Sequence, residues 1–127
     1  MVEQPPLILL IEEDPTLAEI TSLRLELLGY QVEKAEDGPR ALEMVGRHRP
    51  QLIIVDLASH EHDGLQLLNH LSSEPLTSEI PLLLFSASAD LNDVEQAFAA
   101  GAKEYVVKPY DPAILERKIE AMLTADA

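Results

Sequence analysis

Leu7-Ile8-Leu9-Leu10-Ile11-Glu12-Glu13-Asp14-Pro15 is the stretch that decides how this chain folds. Five apolar residues in succession are too few for a helix and suit a strand buried on both faces. The run stops on three acids. Of these, Asp14 has the chemistry of a helix N-cap, and Pro15 fits the first helical position, where a missing N–H costs nothing. Leu17, Ile20, Leu23, Leu27 and Leu28 then recur at helical spacing, predicting a core-facing stripe, and Gly29 closes the helix.

The same unit repeats outward from this stretch. Gln31–Ala35 reads as a modest strand, and Asp37-Gly38-Pro39 opens a helix carrying Ala41, Leu42, Met44 and Val45. Leu52–Val55 is a second strongly apolar strand, followed by a helix over Gly64–Leu71 with Leu65, Leu68 and Leu71 inward. Leu82–Phe85 follows Pro81 as a strand, and Asp90–Ala100 is a helix with Val94, Ala97 and Phe98 inward, ended by Gly101. Tyr105–Val107 is a short strand, and Asp111-Pro112 caps a last helix bearing Ile114, Leu115, Ile119 and Leu123. Five strands alternating with five helices predict an α/β fold, a parallel sheet wrapped on both faces.

Composition narrows the function classes. The 127 residues hold 9 Lys and Arg against 23 Asp and Glu, a formal charge of 9 − 23 = −14. That charge repels phosphate backbones and anionic lipid, so neither direct nucleic acid binding nor membrane binding is expected. A hydrophobic fraction of 46% is too high for a disordered acidic tail. Without cysteine there is no disulfide, thiol nucleophile or Cys-based zinc site. Met1-Val2-Glu3-Gln4-Pro5-Pro6 lacks the positive charge and apolar run of a signal peptide, and no apolar run approaches the roughly 20 residues of a bilayer span. The chain reads as a soluble, cytoplasmic domain.

In a doubly wound sheet, ligands bind beyond the carboxyl ends of the strands. Glu12, Glu13 and Asp14 follow the first strand, Asp56 the third, Ser86 ends the fourth, and Lys108-Pro109 follows the fifth. Clustered carboxylates invite a hard divalent cation, and Mg²⁺ accepts one or two of them with waters and a phosphoryl oxygen. An Asp beside such an ion can attack phosphorus, and an ammonium and a hydroxyl are the groups a transferring phosphoryl needs around it.

Four stretches carry a family resemblance: Leu9-Leu10-Ile11-Glu12-Glu13-Asp14-Pro15; Leu52-Ile53-Ile54-Val55-Asp56 with Asp63-Gly64-Leu65; Phe85-Ser86-Ala87; and Tyr105-Val106-Val107-Lys108-Pro109. In this order and spacing they resemble the receiver domain of bacterial two-component response regulators, from about Leu7 to Leu123. The resemblance implies a flavodoxin-like (βα)5 sandwich whose parallel five-stranded sheet has the order 2-1-3-4-5. It implies that Asp56 accepts a phosphoryl group from a sensor histidine kinase or phosphotransfer protein. Glu12, Glu13, Asp56 and the backbone carbonyl of Ala58 would hold Mg²⁺. Ser86 would donate its hydroxyl to the phosphoryl group, Lys108 would pair with a phosphoryl oxygen, and Pro109 would follow an often cis bond. Tyr105 takes the switch position, turning inward when Ser86 moves. A downstream effector protein or domain would read the surface of the fourth helix, fifth strand and fifth helix; homodimer formation is left open by the sequence. Residues 1–127 are expected to form a single receiver domain with a core of about 7–123 and no effector domain, and no enzyme beyond slow self-phosphorylation and self-dephosphorylation.

Three positions depart from the family pattern. Glu13 stands where Asp is usual, Ser59-His60 replaces a usual Met-Pro, and Ser86 replaces the commoner Thr. The first two motivate a rival reading, a phosphorylation-independent pseudo-receiver acting as a protein-binding module; Asp56, Ser86 and Lys108 oppose it. An aspartyl-phosphate hydrolase would want a second Asp where Ala58 stands, and a flavin phosphate would be repelled by Glu12-Glu13-Asp14. His60 and His62 lie on a loop with no third ligand in view and read as solvated side chains.

Overall fold

Each apolar run becomes a strand and each capped segment a helix. The order in the computed structural model, which describes residues 4–57 and 61–124, is β1 (Leu7–Ile11), α1 (Pro15–Leu27), β2 (Gln31–Ala35), α2 (Gly38–His48), β3 (Leu52–Leu57), α3 (Glu61–Ser73), β4 (Leu82–Ser86), α4 (Leu91–Ala99), β5 (Glu104–Val107) and α5 (Pro112–Thr124). The strands form one parallel sheet in the order β2-β1-β3-β4-β5, as the resemblance implied.

Asp side chains start α1, α2, α4 and α5. Asp14 Oδ1 accepts from the Thr16 and Leu17 N–H groups at 2.8 and 3.1 Å. Asp37, Asp90 and Asp111 likewise accept from Arg40, Asn92 and Ala113 N–H groups at 2.9, 2.8 and 2.8 Å. Each satisfies an N–H that the first helical turn leaves without a partner. At the other end of α1, Gly29 takes φ +102°, a conformation that closes the helix and that side chains disfavour.

Alternation along the strands builds two cores. Ile8, Leu10, Leu52, Ile54, Leu83, Phe85 and Val106 meet Leu25 of α1 and Leu115 and Ile119 of α5 on one face. Leu9, Ile11, Ile53, Val55, Leu82, Leu84 and Tyr105 meet Ala41 and Val45 of α2, Leu68 and Leu71 of α3, and Ala97 of α4 on the other. The period of two assigns neighbouring residues to opposite layers, so the central strands are apolar until their carboxyl ends, where Asp56 and Ser86 stand.

Three helical faces differ from the sequence expectation. The stripe predicted to face the core from α1 points away from it: Leu17, Ile20, Leu23 and Leu27 are 38, 43, 57 and 80% exposed. The buried face is Ala18, Thr21, Ser22 and Leu25. Small side chains let α1 lie close to the sheet, with Leu25 as its one large anchor, and the bulkier residues are left outside. In α4, Ala97 is buried but Phe98 is 43% exposed, and in α5 Leu115 and Ile119 are buried while Ile114 is 44% exposed. Several element ends also run past the expected limits: β3 reaches Leu57, β4 reaches Ser86, β5 begins at Glu104, and α3 spans Glu61–Ser73. No helix among the described residues is long and apolar enough to cross a membrane.

Candidate functional site

Parallel pairing brings the strand ends to one rim. Ile11 lies opposite Val55, Leu57 opposite Ser86, and Ser86 opposite Val107. Glu12, Asp56, Ser86 and Lys108 therefore arrive at the carboxyl edge from β1, β3, β4 and β5. Among the described residues, these are the sequence-derived candidates that the fold gathers.

Asp56 is buried, with 7% of its surface exposed, and its Oδ1 accepts from Lys108 Nζ at 2.5 Å. A charge so enclosed needs a partner or a ligand. Lys108 reaches it past β4, anchored by its backbone N–H, which donates to the Ser86 carbonyl at 2.8 Å. The bond from Lys108 to Pro109 is cis. A cleft of about 320 Å³ opens beside this lysine, lined by Arg24 of α1, Lys108, Pro109, Tyr110 and Pro112.

The acidic pair divides. Glu12 is 2% exposed, whereas Glu13 is exposed. Glu12 Oε1 accepts from the Asp14 N–H at 3.1 Å, while its Oε2 is buried with no hydrogen-bond partner. Burial pushes the Glu12 carboxyl up to about 7, and the Asp56 charge adds to the rise against the lowering pull of the Asp14 N–H and Lys108. An orphaned carboxylate oxygen next to a buried Asp is the donor set a hard cation takes. Mg²⁺ needs one or two carboxylates beside its waters, so Glu12 and Asp56 fit it. Among the described residues, no group of three or more acidic, histidine or cysteine side chains could close around a metal. Ala58, Ser59 and His60 lie outside the described residues, as do the side chains of His62 and Asp63.

Ser86 is 2% exposed, and its Oγ accepts from the Ser88 N–H at 3.1 Å, which leaves the hydroxyl proton available. Tyr105 is turned inward at 7% exposure, its hydroxyl donating to the Ser88 carbonyl at 2.8 Å. Ser88 also engages α4, donating from Oγ to Asp93 Oδ2 at 2.6 Å and accepting from the Asp90 N–H at 3.1 Å. The sequence reading passed over Ser88. Its signal was the polar spacing Ser86, Ser88, Asp90 and Asp93 ahead of α4, which resembles an ordinary cap region.

A doubly wound parallel sheet carrying buried acids, a hydroxyl and a lysine at its carboxyl rim defines the class: a flavodoxin-like domain with an acidic site. The model of the response regulator receiver domain matches residues 8–120, and the chain belongs to that family, a signalling domain of two-component systems. It is 33% identical over 118 residues to the DNA-binding dual master transcriptional regulator RpaA of a Synechocystis species, covering 93% of this chain and 49% of that protein. The chain thus spans about half the length of the curated relatives it matches. Among solved structures, it resembles the receiver domain of a signal transduction histidine kinase from Syntrophus aciditrophicus, with a TM-score of 0.80, 32% identity and coverage of 94% of this chain and 91% of that one. The receiver domain of a sensor histidine kinase from Pseudomonas aeruginosa, with a magnesium ion coordinated in its active-site cleft, matches with a TM-score of 0.80 and 27% identity, covering 94 and 98% of the two chains.

Proposed function

We propose that this domain takes a phosphoryl group on Asp56 from a phosphohistidine of a sensor kinase or phosphotransfer protein and uses it to switch a surface read by an effector. The observation that supports this best is the buried Asp56 held by Lys108 at 2.5 Å beside the unpartnered Glu12 Oε2. An Asp56 oxygen attacks phosphorus, a P–O bond forms, and the bond from phosphorus to the histidine nitrogen breaks as the imidazole leaves. Lys108 then passes from Asp56 to a phosphoryl oxygen, neutralising charge that the carboxylate alone would repel. Ser86 swings its hydroxyl to donate to another. Glu12, Glu13, Asp56 and the Ala58 carbonyl would hold Mg²⁺, which would supply positive charge against the carboxylates and the phosphoryl oxygens.

The partner approaches along α1. This helix starts directly after Glu12, Glu13 and Asp14, and its outward Leu17, Ile20 and Leu23 give a phosphohistidine carrier apolar surface beside the rim. Histidine kinase receivers and transcriptional regulators among the relatives support kinase and effector partners. With its net charge of −14, this domain makes no direct contact with nucleic acid and works in the cytoplasm.

Beryllofluoride with Mg²⁺ is a stand-in for the phosphoryl group. Titrated into the protein, it is expected to shift the backbone amide resonances of Ser86, Ser88 and Lys108 saturably, and not to do so in Asp56→Ala. Unmoved resonances in the wild type would overturn the reading.

A further inference from the structure

The geometry points to Ser88 as a positioning residue for the phosphoryl site: its side chain clasps α4 to the loop that holds both Ser86 and Tyr105. This rests on the reading of Asp56 as phosphoacceptor and adds to it the residue that sets the switch.

Four hydrogen bonds meet at Ser88. Its N–H holds Ser86 Oγ at 3.1 Å, and its carbonyl holds the Tyr105 hydroxyl at 2.8 Å. Its own Oγ stands between the Asp90 N–H, which donates to it at 3.1 Å, and Asp93 Oδ2, to which it donates at 2.6 Å. In a common capping arrangement an acid at the third helical position reaches back to the N-cap N–H. Here Asp93 occupies that position behind the N-cap Asp90, and the Ser88 hydroxyl is inserted between them as a relay. The start of α4 is thereby tied to the backbone atoms that orient Ser86 and Tyr105.

Apart from the partly buried Val94, which packs on the core, little else holds α4 at that end. Ala97 is its only buried residue among nine, and Leu91 at the first position is 70% exposed. At the far end, Ser72 of α3 donates to the Ala100 carbonyl at 2.8 Å, and Gly101 follows at φ +119°. The helix is pinned at its C-terminus, and at its N-terminus the Ser88 hydroxyl adds a polar clasp to the packing of Val94. With the clasp made, the Ser88 carbonyl stays where Tyr105 binds it from inside. A phosphoryl group that draws Ser86 toward Asp56 must then move Ser88, and through Asp93 it moves α4.

Removing the hydroxyl frees residues 87–90 without touching Asp56, Ser86 or Lys108. In protein carrying ¹³C-labelled tyrosine, with the Tyr105 signal assigned from Tyr105→Phe, Ser88→Ala is expected to move the Tyr105 ring resonance of the free protein toward that of an exposed tyrosine. The rate of Asp56 phosphorylation by acetyl phosphate with Mg²⁺ should fall about fivefold, the size of one lost hydrogen bond. Asp93→Ala should reproduce both changes, the double variant should add little to either, and Ser88→Thr should restore them. An unmoved Tyr105 resonance in Ser88→Ala, or strictly additive effects of Ser88→Ala and Asp93→Ala, would overturn the clasp. If wild type takes no phosphoryl group, the reading of Asp56 fails, while the Tyr105 resonance of the free variants still decides the clasp.

Discussion

Lys108 Nζ lies 2.5 Å from Asp56 Oδ1 although β4 runs between their two strands. The ion pair closes the rim on one side of Asp56, and the buried Glu12 with its free Oε2 stands near it on β1's side. Asp56 is thus paired by a lysine, whereas Glu12 keeps one buried oxygen without a hydrogen-bond partner.

Glu12 weakens the fold as pH rises. In the folded protein its carboxyl keeps the proton up to about 7, whereas an unperturbed one loses it near 4.5. The unfolded chain thus releases this proton first, and stability present below 4.5 is lost as pH climbs through 7. The loss reaches about 3 kcal/mol at mildly alkaline pH. Chemical denaturation of Glu12→Gln without divalent cation should show a more stable protein than wild type in that range, with the difference closing toward acid pH.

Mg²⁺ binding should release a proton. A cation taken up by Glu12 needs the ionised carboxylate, so apparent affinity should fall about tenfold for each pH unit below 7. Calorimetry in buffers of different ionisation enthalpy measures that proton. Affinity that is flat from about pH 5 to 7 would exclude Glu12 as the ligand.

The orientation of α1 has a direct test. Leu25 is fully buried and Leu23 is 57% exposed, two residues apart on one helix. Leu25→Ala should cost about 2–5 kcal/mol by leaving a cavity, and Leu23→Ala should stay within about 0.5 kcal/mol. Denaturant midpoints that reversed this order would restore the core-facing stripe.

Two glycines differ in what surrounds them. A Cβ at Gly29 would meet nothing within 4 Å, so Gly29→Ala carries only the backbone cost of φ +102°, about 1–3 kcal/mol. A Cβ at Gly101 would also lie 2.5 Å from Ser72 Oγ and 2.6 Å from Ser72 Cβ. Gly101→Ala should therefore lower the thermal midpoint further than Gly29→Ala does.

The rim was legible because a parallel βα alternation fixes which strand ends share an edge, and Asp56, Ser86 and Lys108 each stand at such an end. The caps were legible because Asp14, Asp37, Asp90 and Asp111 act within one turn of themselves. The face of α1 was not. Its apolar residues lie on nearly every side, and packing chose the close approach allowed by Ala18, Thr21 and Ser22 over the bulk of Ile20, Leu23 and Leu27. The difference between Glu12 and Glu13 was equally hidden, since adjacent acids at a strand end have the same chemistry until the chain turns one inward. Ser88 acts through its main chain as much as through its hydroxyl, and backbone partners leave no trace in residue type.

The most direct test of the central claim is intact mass after incubation with acetyl phosphate and Mg²⁺. Wild type should gain a single phosphoryl adduct that disappears on chelation of the metal before donor is added, and Asp56→Asn should gain none. Wild type that stays unmodified at donor concentrations that label other receiver domains, or an adduct that persists in Asp56→Asn, would contradict the assignment of Asp56 as phosphoacceptor.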